Sequence, residues 1–308
     1  MAIVLIGGTG FIGRHLSERL SARRIAAVTS SFTQEGAFLR QRAPGVKFIE
    51  ANSIEMRSTL AEATTVVYLA HRARPASHIS KPFVEIESGL AEFARFMSEL
   101  CELNPECHVI FPSSGGQVYG SGFSQPVSET NLCAPETPYG LGKHYAEQYL
   151  EFLARTRGLK STILRLANPV GKWQLRGAHG FVSAAVRAAV LEEKLTVFGR
   201  GDNWRDYFDA EDLAEFLADL CLQEKPITGT FNIGSGIGQT ENHVIRMIES
   251  ILNKKLDVEH LPARSFDMPY AVLSIEKAQQ ELGWKPSTEL SESILLIRRG
   301  MTDPLIND

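Results

Sequence analysis

Cysteine is scarce: the 308 residues hold four, Cys101, Cys107, Cys133 and Cys221. Their spacing matches neither a paired metal-ligand motif nor a disulfide framework, so they read as reduced thiols of a cytoplasmic protein. The eight histidines are scattered, with no HExxH or comparable cluster, and no metal site is expected. No apolar run reaches the length of a membrane span. The short "IVLI" near the start has no basic leader and no cleavage pattern, which argues against secretion. Excess positive charge is missing as well, since 32 Lys and Arg stand against 36 Asp and Glu for a net −4. Neither nucleic acid nor an anionic membrane is therefore an expected partner. Low-complexity tracts and internal repeats are also absent.

What remains is ordinary globular composition, 44% hydrophobic and 22% charged, in a chain long enough for a well-buried core. In the first half, short β-branched runs alternate with amphipathic segments. "AIVLIG" (2–7), "RIAAVTS" (24–30), "VKFIE" (46–50), "TVVYLA" (65–70), "HVIFPSS" (108–114) and "STILRLAN" (161–168) read as strands. Segments such as "FIGRHLSERLSARR" and "FVEIESGLAEFARFMSELCE" read as the helices between them. This alternation predicts an α/β fold, a Rossmann-type doubly wound parallel sheet covered on both faces. After about residue 171 the rhythm gives way to longer polar loops, so residues 1–170 and 171–308 are expected to form a larger and a smaller region. "TFNIGSG" (230–236) has the pattern of a strand returning to the main sheet.

Gly7, Gly10 and Gly13 of "GGTGFIG" follow the first strand and open a helix. The spacing alone is weak, but its place at a strand–helix junction is the signature of a dinucleotide turn. Glycines tighten the turn and let a pyrophosphate reach the backbone N–H groups at the helix's positive end. Sites for NAD commonly add an acid roughly 20 residues on, for the ribose 2′-hydroxyl. Here that region is "VTSSF", with Thr29, Ser30 and Ser31 and no carboxylate. Arg14 offers a positive charge for a 2′-phosphate, unless it is a solvated helix residue, so NAD and NADP both stay open.

In "TPYGLGKHYAEQYL" (137–150), Thr137 is expected to cap a helix with Pro138 in its first turn. Tyr139 and Lys143 then share one face. A phenol titrates near pH ~10, and a neighbouring ammonium and a positive nicotinamide ring both favour its phenolate. A Tyr–Lys pair alone is a common feature of amphipathic helices. Together with the glycine turn and the strand end "SSGGQVYG", in this order and separation, it resembles the extended short-chain dehydrogenase/reductase superfamily, in the epimerase/dehydratase branch. The resemblance covers nearly the whole chain and is strongest to UDP-glucose 4-epimerase-like proteins.

The resemblance implies a bound nicotinamide cofactor along Gly7, Gly10, Phe11, Ile12, Gly13, Arg14, Ser30, Ala70, Tyr139 and Lys143. It makes Tyr139 the acceptor of the sugar C4 hydroxyl proton, with Lys143 lowering its pKa and binding the nicotinamide ribose. Relatives carry a catalytic hydroxyl four residues before the strand-end tyrosine. Counting back from Tyr119 reaches Gly115, so adjacent Ser114 is assigned that role and Ser113 a structural one. Dehydratases of the family carry an Asp-Glu pair where Gly116 and Gln117 stand, which argues against dehydration. "LRLANPVG" (164–171), the "WRD" of "VFGRGDNWRDYF" and "ARSFDMPYAVLSIEKAQQELGWKP" resemble the family's substrate segments. By that resemblance Asn168 lies beside the nucleotide diphosphate, Arg205 and Arg264 take its phosphates, and Asp267 takes a ribose. Either arginine has an alternative use, pairing with Asp206 or Asp267. Ala271 stands at a position that limits bulk at the sugar, beside Tyr270. Ser274 replaces a usual Asp, and Glu87 and Ser88 stand near a usual helix Asn.

The activity implied is a nucleotide-sugar 4-epimerase. The alternative is an NADPH-dependent reductase of a nucleotide-linked 4-keto-6-deoxy sugar, and a non-catalytic cofactor-sensing protein is a third class. A homodimer through the Tyr–Lys helix and the helix before the "SSGG" strand is also implied.

Overall fold

A computed structural model of the chain describes residues 2–30, 36–71, 79–174 and 180–303. In chain order its elements are β1 (Ala2–Ile6), α1 (Phe11–Ala22), β2 (Ala27–Ser30), α2 (Gly36–Arg42), β3 (Val46–Phe48), α3 (Ile54–Ala61) and β4 (Ala63–Tyr68). A π-helical turn (Glu85–Leu90) runs into α4 (Ala91–Leu103), followed by β5 (His108–Ser114), the single turn α5 (Gly115–Val118), α6 (Pro138–Arg157) and β6 (Lys160–Leu166). Then come β7 (Asn168–Val170), α7 (Phe181–Leu191), β8 (Leu195–Phe198), β9 (Trp204–Asp209), α8 (Ala210–Cys221), β10 (Gly229–Ile233), β11 (Gly238–Thr240) and α9 (Glu241–Leu252). The chain closes with β12 (Val258–Leu261), β13 (Tyr270–Ala271), α10 (Glu276–Leu282) and α11 (Leu290–Gly300). Among the described residues no helix is long and apolar enough to cross a membrane.

The chain divides into two compact units. Met1–Tyr119, Leu132–Arg165 and Ala214–Phe231 make the first. Gly120–Asn131, Leu166–Leu213 and Asn232–Asp308 make the second.

The main sheet has seven strands in the order β10-β6-β5-β4-β1-β2-β3, the Rossmann arrangement expected from the strand–helix alternation. The central strands have apolar, fully buried cores, residues 3–5 in β1, 66–67 in β4 and 109–111 in β5, because a parallel sheet is covered on both faces. Val4, Val66, Val109, Phe111 and Ile163 are buried in one core with Phe93, Met97 and Leu150 from α4 and α6. β10 pairs beside β6 at the sheet edge, as the "TFNIGSG" pattern predicts. α6 starts where its sequence says it should. The Thr137 side chain accepts from Gly140 N at 3.0 Å, Pro138 follows, and Gly158 at φ +75° ends the helix.

The second unit is built on short pairings. β9 lies between β11 and β13 and also pairs with β7, while β12 pairs with β8. Val186, Val197, Ile248, Ile294 and Ile297 form its core. Asp206 anchors its centre: the fully buried carboxylate accepts from Ser235 N and Oγ and from the N–H groups of Gly236 and Leu273. Burial raises its pKa to about 6 against those four hydrogen bonds.

Candidate active site

The glycine turn closes over the end of β1. Gly7 has φ +96°, and a Cβ there would come within 2.9 Å of Ala70 N. A Cβ on Gly13 would meet Gly7 O at 2.3 Å and the Gly8 backbone at 2.6 Å, so α1 packs on the turn only because residue 13 lacks a side chain. Gly10 is the N-cap of α1 without a side-chain cap bond, and the first turn, with Phe11 and Ile12, carries no acid. The positive helix end is thus left without a side-chain acceptor, as a pyrophosphate requires. These residues fit a dinucleotide.

β2 closes the same turn. Gly7 N donates to Ser30 O at 2.6 Å. Thr29 Oγ1 accepts from Gly8 N at 3.0 Å and donates to Leu5 O at 3.1 Å, which gives Thr29 a structural task. Ser31, the other hydroxyl of "VTSSF", lies outside the described residues. Arg14 is not a solvated helix residue. It is 5% exposed, its Nε donates to Thr9 O at 3.0 Å, and its guanidinium lies 4.8 Å from the Phe38 ring centroid.

At the end of β5 the two serines have different partners. Ser113 Oγ donates to the Glu147 carboxylate in the core, the structural role expected of it. Ser114 faces the Tyr139 phenol instead, and its hydroxyl favours the phenolate. A Cβ on Gly116 would meet nothing within 4 Å, so open space adjoins the strand end. Gln117 accepts from Thr137 Oγ1 at 2.9 Å and ties α5 to the start of α6.

Lys143, 6% exposed, donates from Nζ to Pro112 O at 2.9 Å. The same Nζ is 4.8 Å from the Phe111 ring centroid and 6.0 Å from that of Tyr139. Burial depresses its pKa to about 8 against the pull of Glu85 and Glu147. Burial pushes the Tyr139 phenol up to about 12; the Ser114 hydroxyl opposes the rise and Glu85 adds to it. The expected downward shift is therefore not a property of the ligand-free chain, because desolvation outweighs the neighbouring ammonium.

A buried ion pair joins the elements that carry these groups. Glu147 of α6, fully buried, accepts from Arg165 Nε at 3.1 Å and Nη2 at 2.7 Å, and Arg165 Nη1 donates to Tyr119 Oη at 3.0 Å. Cys133, His144 and Glu147 bring potential ligand atoms within 4.8 Å of one another. Arg165 already occupies the Glu147 oxygens, and its positive charge disfavours a cation there.

In the second unit, Asn168, Arg205 and Ala271 stand on adjoining strands. Ala271 pairs with Arg205 in the β13–β9 register, and Asn168 Nδ2 donates to Asp206 O at 3.0 Å. Arg205 donates to the carbonyls of Trp204 and Met268. Arg264 forms a two-point pair with Asp267, at 2.9 and 2.7 Å, with its guanidinium 4.0 Å from the Phe198 ring centroid. The structure thus engages both arginines with protein acceptors, and the Arg264–Asp267 pairing is the alternative its sequence neighbourhood allowed.

A model of the NAD dependent epimerase/dehydratase family matches residues 3–234. The chain belongs to that family. It is 29% identical over 307 residues to the dTDP-4-dehydro-6-deoxyglucose reductase of Escherichia coli, covering 95% of each chain. It is 27% identical over 321 residues to the UDP-glucose 4-epimerase of Streptococcus mutans, covering 96% of this chain and 95% of that one. Among solved structures, the Thermotoga maritima UDP-glucose 4-epimerase with UDP-glucose shares 29% identity at TM-score 0.88, over 99% of this chain and 100% of that one. Membership makes the chain an enzyme of an NAD-dependent family.

Two groups near Tyr139 escape the sequence reading. His71, just beyond β4, and Glu85, in the π-helical turn, lie 3.0 Å apart at their polar atoms. The motif count points to Glu87 and Ser88, but Glu87 is exposed and Ser88 Oγ donates back to Val84 O.

Proposed function

We propose that the protein is a nucleotide-sugar 4-epimerase. The observation that carries the reading is the placing of Ser114, at the end of β5, against the Tyr139 phenol, one helical turn before Lys143, in the unit that holds the glycine turn. A nicotinamide held at the glycine turn would supply reversible hydride exchange at the sugar C4. Tyr139 Oη takes the proton of the C4 hydroxyl as the ketone forms and gives it back as hydride returns, so the cycle has no net redox change. Ser114 holds the same oxygen from its other side. Lys143 brings positive charge toward Tyr139 and a donor for the nicotinamide ribose, helping to overcome the burial that keeps the phenol protonated. Asn168, Arg205, Arg264 and Asp267 bind the nucleotide diphosphate, and small Ala271 leaves space for the hexose.

Proton NMR of nucleotide hexoses carrying deuterium at C4 tests this reading. Inversion at C4 with deuterium retained and no net consumption of NAD(P)H is expected from the wild type. Ser114→Ala should lose at least tenfold in turnover while dinucleotide affinity stays unchanged, and near-wild-type turnover would remove Ser114 from the mechanism.

A second reading is a reductase of a nucleotide-linked 4-keto-6-deoxy sugar that uses exchangeable NADPH. The Escherichia coli relative and the absence of an acid in "VTSSF" favour it. We also propose a homodimer through the helix before the "SSGG" strand and α6; Phe83 and Ile86, in and just before the π-helical turn that runs into α4, and Tyr145 and Phe152 of α6 are exposed. Sedimentation of the purified protein distinguishes dimer from monomer.

A further inference from the structure

Glu85 is 1% exposed, and a buried carboxylate is stable only beside compensating charge or donors. The π-helical turn brings it there, since its wider winding changes which residue of "VEIES" faces inward. Glu85 Oε1 is 3.0 Å from His71 Nε2. The His71 ring in turn meets the Tyr139 ring edge-on, with centroids 5.1 Å apart and planes at 77°. Two glycines make the room. A Cβ on Gly89 would come within 2.8 Å of Glu85 Oε1, and one on Gly142 within 2.6 Å. Gly142 directly precedes Lys143, so the carboxylate presses on the backbone of the turn that carries both Tyr139 and Lys143.

We propose that His71 and Glu85 are positioning residues of the reaction, a buried imidazole–carboxylate pair that supplies Lys143 with counter-charge and seats the Tyr139 ring. The inference rests on Tyr139 as the proton acceptor.

Among the described residues, Lys143 faces Glu85 and, one turn along α6, Glu147. Glu147 is committed to Arg165 and Ser113, which leaves Glu85 as the carboxylate available to the ammonium. Tyr139 faces Ser114, His71, Glu85 and Lys143. Glu85 thus acts in two opposed senses, holding the proton on Lys143 and resisting its loss from Tyr139. His71 mediates between them. As imidazolium it cancels the Glu85 charge and eases phenolate formation, whereas as neutral imidazole it leaves that charge to Lys143.

The test uses Glu85→Gln and His71→Gln in the full chain, with melting curves to establish folding. Two quantities are read: the pH profile of kcat/KM, and the ultraviolet tyrosinate titration of ligand-free protein taken as the difference from Tyr139→Phe. Glu85→Gln should move the Tyr139 titration and the alkaline limb of the profile to lower pH by about half a unit or more. His71→Gln should move the acid limb of the profile to higher pH and lower turnover roughly tenfold. Wild-type limbs and a wild-type tyrosinate titration in either folded variant would overturn the proposal, since a purely structural pair would change melting alone. Turnover retained by Tyr139→Phe would instead overturn the acceptor assignment on which it rests.

Discussion

Replacing Arg165 by methionine removes a guanidinium while keeping much of its buried volume. In the native chain that group makes three contacts to the Glu147 carboxylate, at 3.2, 3.1 and 2.7 Å, and one to Tyr119 Oη at 3.0 Å. Glu147 is fully buried, so Arg165→Met leaves its charge with the Ser113 hydroxyl, His144 at 3.7 Å and the more distant Lys143 ammonium. Breaking one side of a buried pair in this way costs about 3–5 kcal/mol, because the remaining charge keeps its desolvation penalty. For a large domain this lowers the melting temperature by on the order of 10 °C. Burial alone would raise the Glu147 pKa, yet nearby His144 and the hydrogen bonds from Arg165 and Ser113 hold it below the usual carboxylate range. Its stabilising contribution is therefore present above that range and is lost as acid drives the pH down through the depressed value. Arg165→Met should accordingly melt earlier at neutral pH and lose part of the wild-type dependence on acid. Scanning calorimetry across pH reads both effects. The double change Arg165→Met with Glu147→Leu, which removes both charges, should recover most of the loss. A single variant melting within about 2 °C of wild type would refute the reasoning, as would a double variant no better than the single.

Other expectations follow from the same site. Gly13→Ala puts a methyl against the Gly7 and Gly8 backbone, at 2.3 to 2.7 Å, where no side chain can give way. Lifting α1 should weaken dinucleotide binding roughly 10- to 100-fold by calorimetric titration, and an unchanged affinity would remove the glycine turn from the cofactor site. Lys143 is held at about 8, below its ordinary 10.5, so its buried ammonium costs about 3 kcal/mol of stability below pH 8, and the cost disappears between pH 8 and 10.5. Set against the lost hydrogen bond to Pro112, about 1 kcal/mol, Lys143→Met should stabilise the fold by about 2 kcal/mol at pH 7 while abolishing turnover. Denaturant unfolding at pH 7 checks the sign, and a destabilised variant would contradict it.

The parts legible in the sequence are those whose physics is local. β1, β4 and β5 have apolar centres because both faces of the sheet are covered, and the Thr137–Pro138 cap is written in two adjacent residues. The glycine turn is legible for the same reason, since its close backbone approaches need glycine at fixed spacing. Glu85 was hidden because the family's helix-Asn position drew attention to Glu87 and Ser88, while burial in a π-helical turn has no signature in the local sequence. Arg165 and Glu147 lie on a strand and a helix 18 residues apart, a separation with no periodic signature. The upward shift at Tyr139 depends on burial, which the Tyr–Lys spacing does not encode.

A 4-epimerase of the kind proposed keeps its nicotinamide through a closed redox cycle, so the dinucleotide that purifies with the protein separates it from a reductase. Freshly purified protein is denatured and the released dinucleotide is identified and counted by mass spectrometry. The account predicts NAD at close to one per chain. Little bound dinucleotide, with NADPH taken up selectively on titration and consumed on a nucleotide-linked 4-keto sugar, would contradict it and make the protein a reductase.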